Sequence, residues 1–401
     1  MISVAEALER ILVQGKLMPV EEIPLQDALG RVLATDITSR RTQPPSDVSA
    51  MDGYAVRAAD ATLGATLTRV GEAPAGGAHE GDVQQGQTVR IFTGGPVPSG
   101  ADAIVLQEDV EIDENGLIVI GEAATPGQHV RPAGVDFKQG DALFHAGRLL
   151  SPADLGLLAS MDWPTVPVRK KPRIALLANG DELVLPGEPI GPNQIVSSNS
   201  FAMAALVAEA GGEPVDLGIA KDDEGTIKSL AEGARAADVL VTIGGASVGE
   251  RDLVQKSLGD MGLTVDFWKI AMRPGKPLIF GRMDEQLMVG LPGNPVSALV
   301  CATLYLVPLI RQMLGLTPVG PETTTATLGS DLGPNKKRQD YIRGTLTVSE
   351  NGGDVATPFD LQDSSVLSLF AHADVLIVRP PYAEAAAKGD PVSVIPLRLR
   401  H

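Results

Sequence analysis

Three apolar runs between residues 174 and 295 constrain this chain more than any other feature: IALLANGDEL (174–183), VLVTIGGASVGERD (239–252) and LMVGLPGNP (287–295). Each is of strand length, and each breaks at a glycine-bearing turn. Such short continuous apolar runs suit strands buried on both faces. In open α/β sheets, ligands bind beyond the carboxyl ends of the strands. The three turns therefore predict one site assembled from several strand ends.

The flanking pattern supports that sheet. Strand-like and helix-like segments alternate at 174–178, 199–210, 215–219, 223–236, 239–243, 251–260, 286–290 and 295–314. This alternation predicts a parallel sheet with helices on both faces. Upstream, residues 2–14 and 24–35 carry apolar residues at helical spacing. At 41–56 the pattern breaks on Pro44–Pro45 and the Asp52–Gly53 turn. Short strands then recur up to residue 140 (TLTRV, TVRIFT, DAIVLQED, GLIVIG), separated by Gly/Pro-rich turns, which predicts a small β domain. Helix returns at 151–161, with Ser151 as N-cap and Pro152 at the first position. The β part is thus inserted between two helical pieces able to pack together, and 166–173 reads as a linker. Beyond Pro318, five further β-like runs and an Asn351–Gly352–Gly353 hairpin signal predict a C-terminal barrel or sandwich.

The expected fold class is α/β multidomain. Its parts are a discontinuous helical/mixed N-terminal domain (1–41 and 140–171), an inserted β-rich domain (42–139), a parallel-sheet α/β domain (172–317) and a C-terminal β-barrel-like domain (318–401).

The net charge is −17, which excludes the basic footprint of a general nucleic-acid binder. It also repels anionic ligands, so an anion site needs local cations, helix N-termini or a bound cation. No apolar run approaches the roughly 18–20 residues needed to span a bilayer. The amphipathic, acid-bearing N-terminus is not a signal peptide. These points give a cytoplasmic protein with no membrane role. The single cysteine, Cys301, rules out an intrachain disulfide or a Cys-based zinc site, and its apolar surroundings make it core rather than nucleophile. The five histidines have no metal or triad spacing.

The chemistry-bearing segments lie at the strand ends. GGASVG (244–249) can form a nest of amides for phosphate oxygens; it is neither a Walker A loop nor GxGxxG. GLPGNP (290–295) ends a strand, with Asn294 placed to cap the next helix and Pro295 at its first turn. Acids recur there: Asp181, Glu182, Asp222, Asp223, Glu250 and Asp252. Glu182, Asp222 and Asp252 suit Mg²⁺, which takes one or two carboxylates plus ligand phosphates. KIAMRPGKP (269–277) supplies Lys269, Arg273 and Lys276, a basic loop in an acidic chain.

Taken with SAMDGYAV (49–56), RIFTGGPVPSGADAIV (90–105), VRPAGVDFKQGD (130–141) and GLPGNPVSA (290–298), these segments resemble the MoeA family of molybdopterin molybdenumtransferases, the family that includes the E domain of gephyrin. The resemblance runs nearly the length of the chain. It implies a MogA-like α/β domain, an elongated homodimer with an inter-subunit site, and substrates molybdate and adenylylated molybdopterin, with Mg²⁺ as cofactor and AMP released. It implies partnership with a MogA-like adenylyltransferase and with molybdoenzyme maturation factors. By motif it assigns catalytic roles to Asp52, Thr93, Glu182, Asp222, Lys269 and Arg273. It assigns substrate contacts to Arg131, Asp136, Gly244, Gly245, Ser247, Gly249, Lys276, Pro292, Gly293, Asn294 and Ser364, and metal contacts to Glu182, Asp222 and Asp252. The chain departs from the family pattern at Arg273 (usually Lys), Asn179 (usually Thr or Ser) and Asp363 (usually Gly). Two other readings stand beside this one: a molybdopterin adenylyltransferase, whose fold corresponds to the α/β domain alone, and a non-catalytic gephyrin-like scaffold.

Overall fold

In the computed structural model, residues 1–245 and 253–397 are described. Ser247, Gly249, Glu250 and Asp252 lie outside them.

The central sheet has six strands in the order Glu213–Ala220, Arg173–Asn179, Val239–Ile243, Gln286–Leu291, Ile279–Met283 and Thr264–Phe267. The first four are mutually parallel, as the alternation predicts. The last two are antiparallel additions that the sequence pattern does not reveal. Side-chain alternation sorts these strands between two cores. Ile174, Leu176, Val239, Val241, Val289 and Leu291 face helix Asn199–Glu209 and the long helical rod from Pro295 to Leu314. Ala175, Leu177, Leu240 and Met288 face helices Glu224–Gly233 and Leu253–Asp260. Both faces are covered, so the apolar strand runs are continuous.

The rod is α-helical over Pro295–Cys301, π-helical over Ala302–Leu306 and α-helical again over Val307–Leu314. The π turn precedes Pro308, whose missing N–H cannot close the α-helical bond to Leu304. At 20 residues the rod is long and apolar enough to cross a membrane, which corrects the expectation that no run reaches that length. Its most apolar window is 72% buried inside the protein, which marks it as a core helix.

The N-terminal helix Val4–Gln14 seals Ala7 and Ile11 into the core that also holds Leu309 and Met313 of the rod. Residues 24–35 are not the helix expected there: only a 3-10 turn, Leu25–Asp27, forms. Val20–Pro24 is a strand paired antiparallel with Thr165–Arg169, and Val32 and Leu33 form bridges to Leu149 and Val168. The spacing that mimics a helix here is overridden by the returning strand, which takes in residues 166–169 of the segment read as a linker, while 170–172 connect it to the strand at Arg173. Helix Pro152–Ser160 forms as predicted: Ser151 and Asp154 make a reciprocal capping box. Leu155, Leu157 and Leu158 pack with Ala28 and Leu33.

The insert is a six-stranded mixed sheet in the order Ala103–Leu106, Gly53–Val56, Gln87–Ile91, Thr66–Ala73, Ile118–Ile120 and Val110–Ile112. Its two apolar cores draw only on residues between 54 and 130. The C-terminal unit is a closed five-stranded barrel, because Gln339–Val348 pairs with both Asp354–Pro358 and Val375–Arg379 while Pro391–Pro396 and Thr324–Leu328 complete the ring. The predicted hairpin at Asn351–Gly352 joins two of its strands.

Ile11→Ala is expected to lower unfolding stability by about 2–5 kcal/mol, the usual cost of emptying a sealed aliphatic site. Urea titration followed by circular dichroism measures it. A loss no larger than that of Val13→Ala, on the 77%-exposed face of the same helix, would place the helix outside the core.

Candidate functional site

The insert contributes a fixed carboxylate. Asp52 Oδ1 accepts hydrogen bonds from the Thr93 amide (2.7 Å) and the Thr93 hydroxyl (2.8 Å). Those two donors, with the Arg90 guanidinium nearby, hold the Asp52 carboxyl below its ordinary range. Arg90 is itself anchored, donating to the Gly53 carbonyl (3.0 Å) and to Gln107 Oε1 (2.6 Å). Beside Thr93 opens a cleft of about 740 Å³, lined by Pro44, Pro45, Val48, Gly94, Arg131 and Asp136 among others. Pairing of Val130–Arg131 with Val48–Ser49 brings Arg131 to this wall. Arg131 and Asp136 line the cleft with Gly94, the residue after Thr93, while the Asp52–Thr93 pair is not part of its lining.

At the strand ends of the α/β domain, two turns are tied together. Asn179 Nδ2 donates to Asp222 Oδ1 (2.8 Å), and the Asp222 amide donates to Asp181 Oδ1 (3.1 Å). The departure at residue 179 therefore has a structural use: an amide reaches Asp222 and orients its carboxylate. Asn179 Oδ1 is buried without a hydrogen-bond partner among the described residues. Glu182 is exposed, and its side chain folds over Gly180. Asp223 instead caps helix Glu224–Gly233 by accepting from the Thr226 amide (2.8 Å). Among the described residues no group of three or more His, Cys, Asp or Glu could hold a metal; Asp252, the third expected metal contact, lies outside them.

Glycine is what lets the turns touch. Gly244 has φ +97°, and a Cβ there would come 2.6 Å from the Asn179 carbonyl oxygen. A Cβ on Gly293 would sit 3.7 Å from the Gly244 Cα. Gly244, Gly245, Pro292, Gly293 and Asn294 are therefore at one edge with Asn179; Ser247 and Gly249, the rest of the expected phosphate loop, are outside the described residues.

Asn294 occupies the N-cap position but makes no side-chain cap, contrary to expectation. Its amide donates to Ser364 Oγ (2.9 Å), and the Ser364 carbonyl accepts from the Val296 amide (3.1 Å). The barrel caps the rod, which brings Ser364 to the site. Asp363 accepts from the Ser365 amide (2.8 Å) and hydroxyl (2.6 Å), so its side chain shapes the turn that presents Ser364. Sequence reasoning missed Arg343. It is 1% exposed, and its Nε donates to Gln362 Oε1 (3.2 Å), bracing the 361–366 loop from beneath. No spacing signal marks it, since a barrel strand offers no rule for an inward arginine.

The basic loop has its own supports. Residues 268–278 join an edge strand that runs in the same direction as Gln286–Leu291, so they emerge at the ligand edge. Gly275 (φ +99°) lies against Cys301, where a Cβ would come 2.3 Å from the sulfur. The Cys301 thiol donates to the Gly275 carbonyl (3.5 Å), and complete burial raises its pKa far above the ordinary thiol value. It is a support for the loop, not a nucleophile. Lys269 Nζ sits 3.5 Å over the Trp268 ring. Arg273 grips the buried Asp340 carboxylate with two nitrogens, a fork that lysine could not form. Lys276 is exposed.

Fixed amides, oriented carboxylates and a basic loop at one sheet edge suit a phosphate-bearing ligand with a cation. Similarity to known proteins agrees with that chemistry. Residues 2–161 match the model of the MoeA N-terminal region (domains I and II), 175–312 a probable molybdopterin binding domain, and 325–397 the MoeA C-terminal region (domain IV). A molybdopterin molybdenumtransferase of Haemophilus influenzae is 36% identical over 94% of this chain and 93% of its own length. Molybdopterin molybdenumtransferase 2 of Mycobacterium tuberculosis is 39% identical over 81% of this chain and 84% of its own. The crystal structure of a molybdopterin biosynthesis MoeA protein of Pyrococcus horikoshii superposes with a TM-score of 0.87 at 33% identity, covering 100% of both chains.

Thr93→Val removes one of the two donors that depress the Asp52 pKa. Asp52 should then begin to protonate at a higher pH, and its titration midpoint, followed by carboxyl-carbon NMR, should move up toward the ordinary value. A midpoint that stays put or falls would deny the hydroxyl that role.

Proposed function

The chain belongs to the MoeA family and is an enzyme of molybdenum cofactor synthesis, and from that premise we propose that it inserts molybdenum from molybdate into adenylylated molybdopterin, with release of AMP, at a site shared between two copies of the chain. The observation behind the shared site is that its two oriented carboxylates lie on different domains. Asp52 sits on an insert whose cores use only its own residues, and Asp222 sits at the strand ends of another domain. A homodimer that sets the insert of one copy over the strand ends of the other completes the constellation.

The roles derive from the chemistry of each group. Soft sulfur suits molybdenum, and the dithiolene sulfurs belong to the pterin, so the protein needs no thiol of its own. Glu182 and Asp222 offer hard oxygens at the phosphate edge, the donor set that a substrate-completed Mg²⁺ needs. That cation would supply charge neutralisation at the phosphoanhydride. The amides of Gly245 and Gly293 receive the pterin phosphate, together with Ser247 and Gly249 of the same loop, while Gly244, whose amide donates to the Leu291 carbonyl (3.1 Å), shapes the turn. Lys269 and Lys276 bind the oxyanion or the adenylate phosphates, and Ser364 adds a hydroxyl. Arg273 acts through Asp340, fixing the barrel and hence Ser364. Asp52, held ionised by Thr93, completes the pocket from the second copy, with Arg131 and Asp136 lining its approach. The net reaction at the adenylate adds water across the P–O–P linkage, so that AMP leaves and the pterin keeps its own phosphate.

The substrate must come from an adenylylating enzyme, which fits a MogA-like partner, and a free dithiolene suits the reducing cytoplasm. Molybdate-dependent AMP release by the purified protein tests the activity. Formation of adenylylated pterin from MgATP would reassign it to the preceding step.

Complementation tests the shared site. Asp52→Ala and Asp222→Ala chains should each be inactive, while co-expressed chains should regain about a quarter of wild-type activity, since half the dimers are mixed and each carries one intact site. Activity no greater than that of either variant alone would put both carboxylates in a single chain's site.

A further inference from the structure

Residues 336–338, Lys-Lys-Arg, set three consecutive cations in a chain of net charge −17. Lys336 and Lys337 are exposed and Arg338 is half-buried; none forms an ion pair among the described residues. In so acidic a chain, three adjacent uncompensated cations are a local reversal of the field. Their loop is also built rather than loose. Asn335 Nδ2 lies within 2.9, 2.9 and 2.8 Å of the carbonyl oxygens of Arg338, Arg379 and Pro380. The Lys336 amide donates to Asn335 Oδ1 (2.8 Å), and the Lys336 carbonyl accepts from the Tyr382 amide (2.8 Å).

The residues immediately after this run fix where it points. The Gln339 amide donates to the Ala271 carbonyl (2.9 Å), and a short parallel ladder pairs Met272 with Gln339 and Arg273 with Asp340. The pairing is parallel, so the chain enters it from the same end on both sides: from Arg338 into Gln339, and from the basic loop through Ala271 into Met272. The basic run thus ends at the point where its strand meets the basic loop, with Gln339 bonded to Ala271, two residues after Lys269. Of the six cations in the run and the loop, Arg273 is engaged by Asp340 and Lys269 rests on Trp268, while the other four carry no carboxylate partner among the described residues.

We propose that Lys336, Lys337 and Arg338 form an outer anion-receiving subsite, which draws the phosphoanhydride-bearing substrate toward the strand-end site against the negative field of the chain. The inference rests on the function proposed above. The adenylylated pterin is the favoured ligand because it is large and carries two linked phosphates, so it can span the outer run and the inner loop at once. Molybdate, a compact dianion, can occupy only one of them. Exposed charges act over roughly the Debye length of about 8 Å at physiological salt, so the effect belongs to capture and is sensitive to ionic strength.

The test is steady-state AMP release by the double variant Lys336→Glu/Lys337→Glu, at ionic strengths of about 0.02 M and about 0.5 M, with adenylylated molybdopterin and molybdate varied in turn. At low salt the KM for the pterin should rise about tenfold, with kcat unchanged, and the difference should close at high salt. The KM for molybdate should stay put, and Lys336→Arg/Lys337→Arg should behave as wild type. A pterin KM within twofold of wild type at low salt would overturn the proposal, as would a loss confined to kcat. A shift in the molybdate KM alone would also overturn it and make the run an oxyanion site. If wild-type protein releases no AMP, the functional reading fails instead. Calorimetric binding of adenylylated molybdopterin, compared between wild type and variant at the two salts, then decides the subsite by the same criterion.

Discussion

The α/β half of the site depends on how closely three strand-end turns approach one another. Parallel strands deliver their carboxyl ends to one edge, but side chains would ordinarily hold neighbouring turns apart. Here Gly244 lets its turn rest against the Asn179 carbonyl and beside Gly293. The amides of one turn, the carboxylates of another and the helix start of a third thereby become neighbours. Asn179 then uses the proximity, carrying a hydrogen bond across to Asp222. An amide there keeps a donor in place whatever the protonation state of its neighbours, so the orientation of Asp222 is a fixed property of the fold.

Charge is arranged in the same spirit. A chain of net charge −17 can attract an anionic ligand only where it reverses its own field locally. It does so with few cations and assigns them different tasks. Arg343 is buried as a brace under the loop that carries Ser364, and Arg273 is clamped to Asp340 to dock the barrel. The lysines of the basic loop stay uncommitted to carboxylates. Arginine's planar fork suits the fixed positions, and the flexible ammonium suits those that meet a ligand.

Much of this was legible in the residues, for reasons that differ from element to element. The parallel strands were visible because burial on both faces makes their apolar runs continuous, and helix Pro152–Ser160 because a serine N-cap followed by proline is written in sequence. The helix expected at 24–35 failed because apolar spacing does not report a partner strand more than a hundred residues away; Val20–Pro24 answers to Thr165–Arg169. The two antiparallel additions to the sheet were hidden by their shortness and by the Pro- and Gly-rich loop between them. At the site, residue types pointed to the chemistry, but not to the division of labour. That Arg273 serves Asp340 and that Ser364 replaces Asn294 as the helix cap are facts of packing between domains, and that Arg343 braces the Ser364 loop is a fact of packing within the barrel.

The strand pair between Val20–Pro24 and Thr165–Arg169 also dictates the order in which the chain can be put together. During synthesis the leading strand leaves the ribosome long before its partner exists. The insert, whose cores need only residues 54–130, can close in the interval. Once folded, it shortens the loop that the two distant strands must bridge, and so lowers the entropic cost of their meeting. The Asp52 pocket is then the earliest part of the site to be made. The strand ends beyond residue 172 follow it, and the barrel loop that carries Ser364 comes after them.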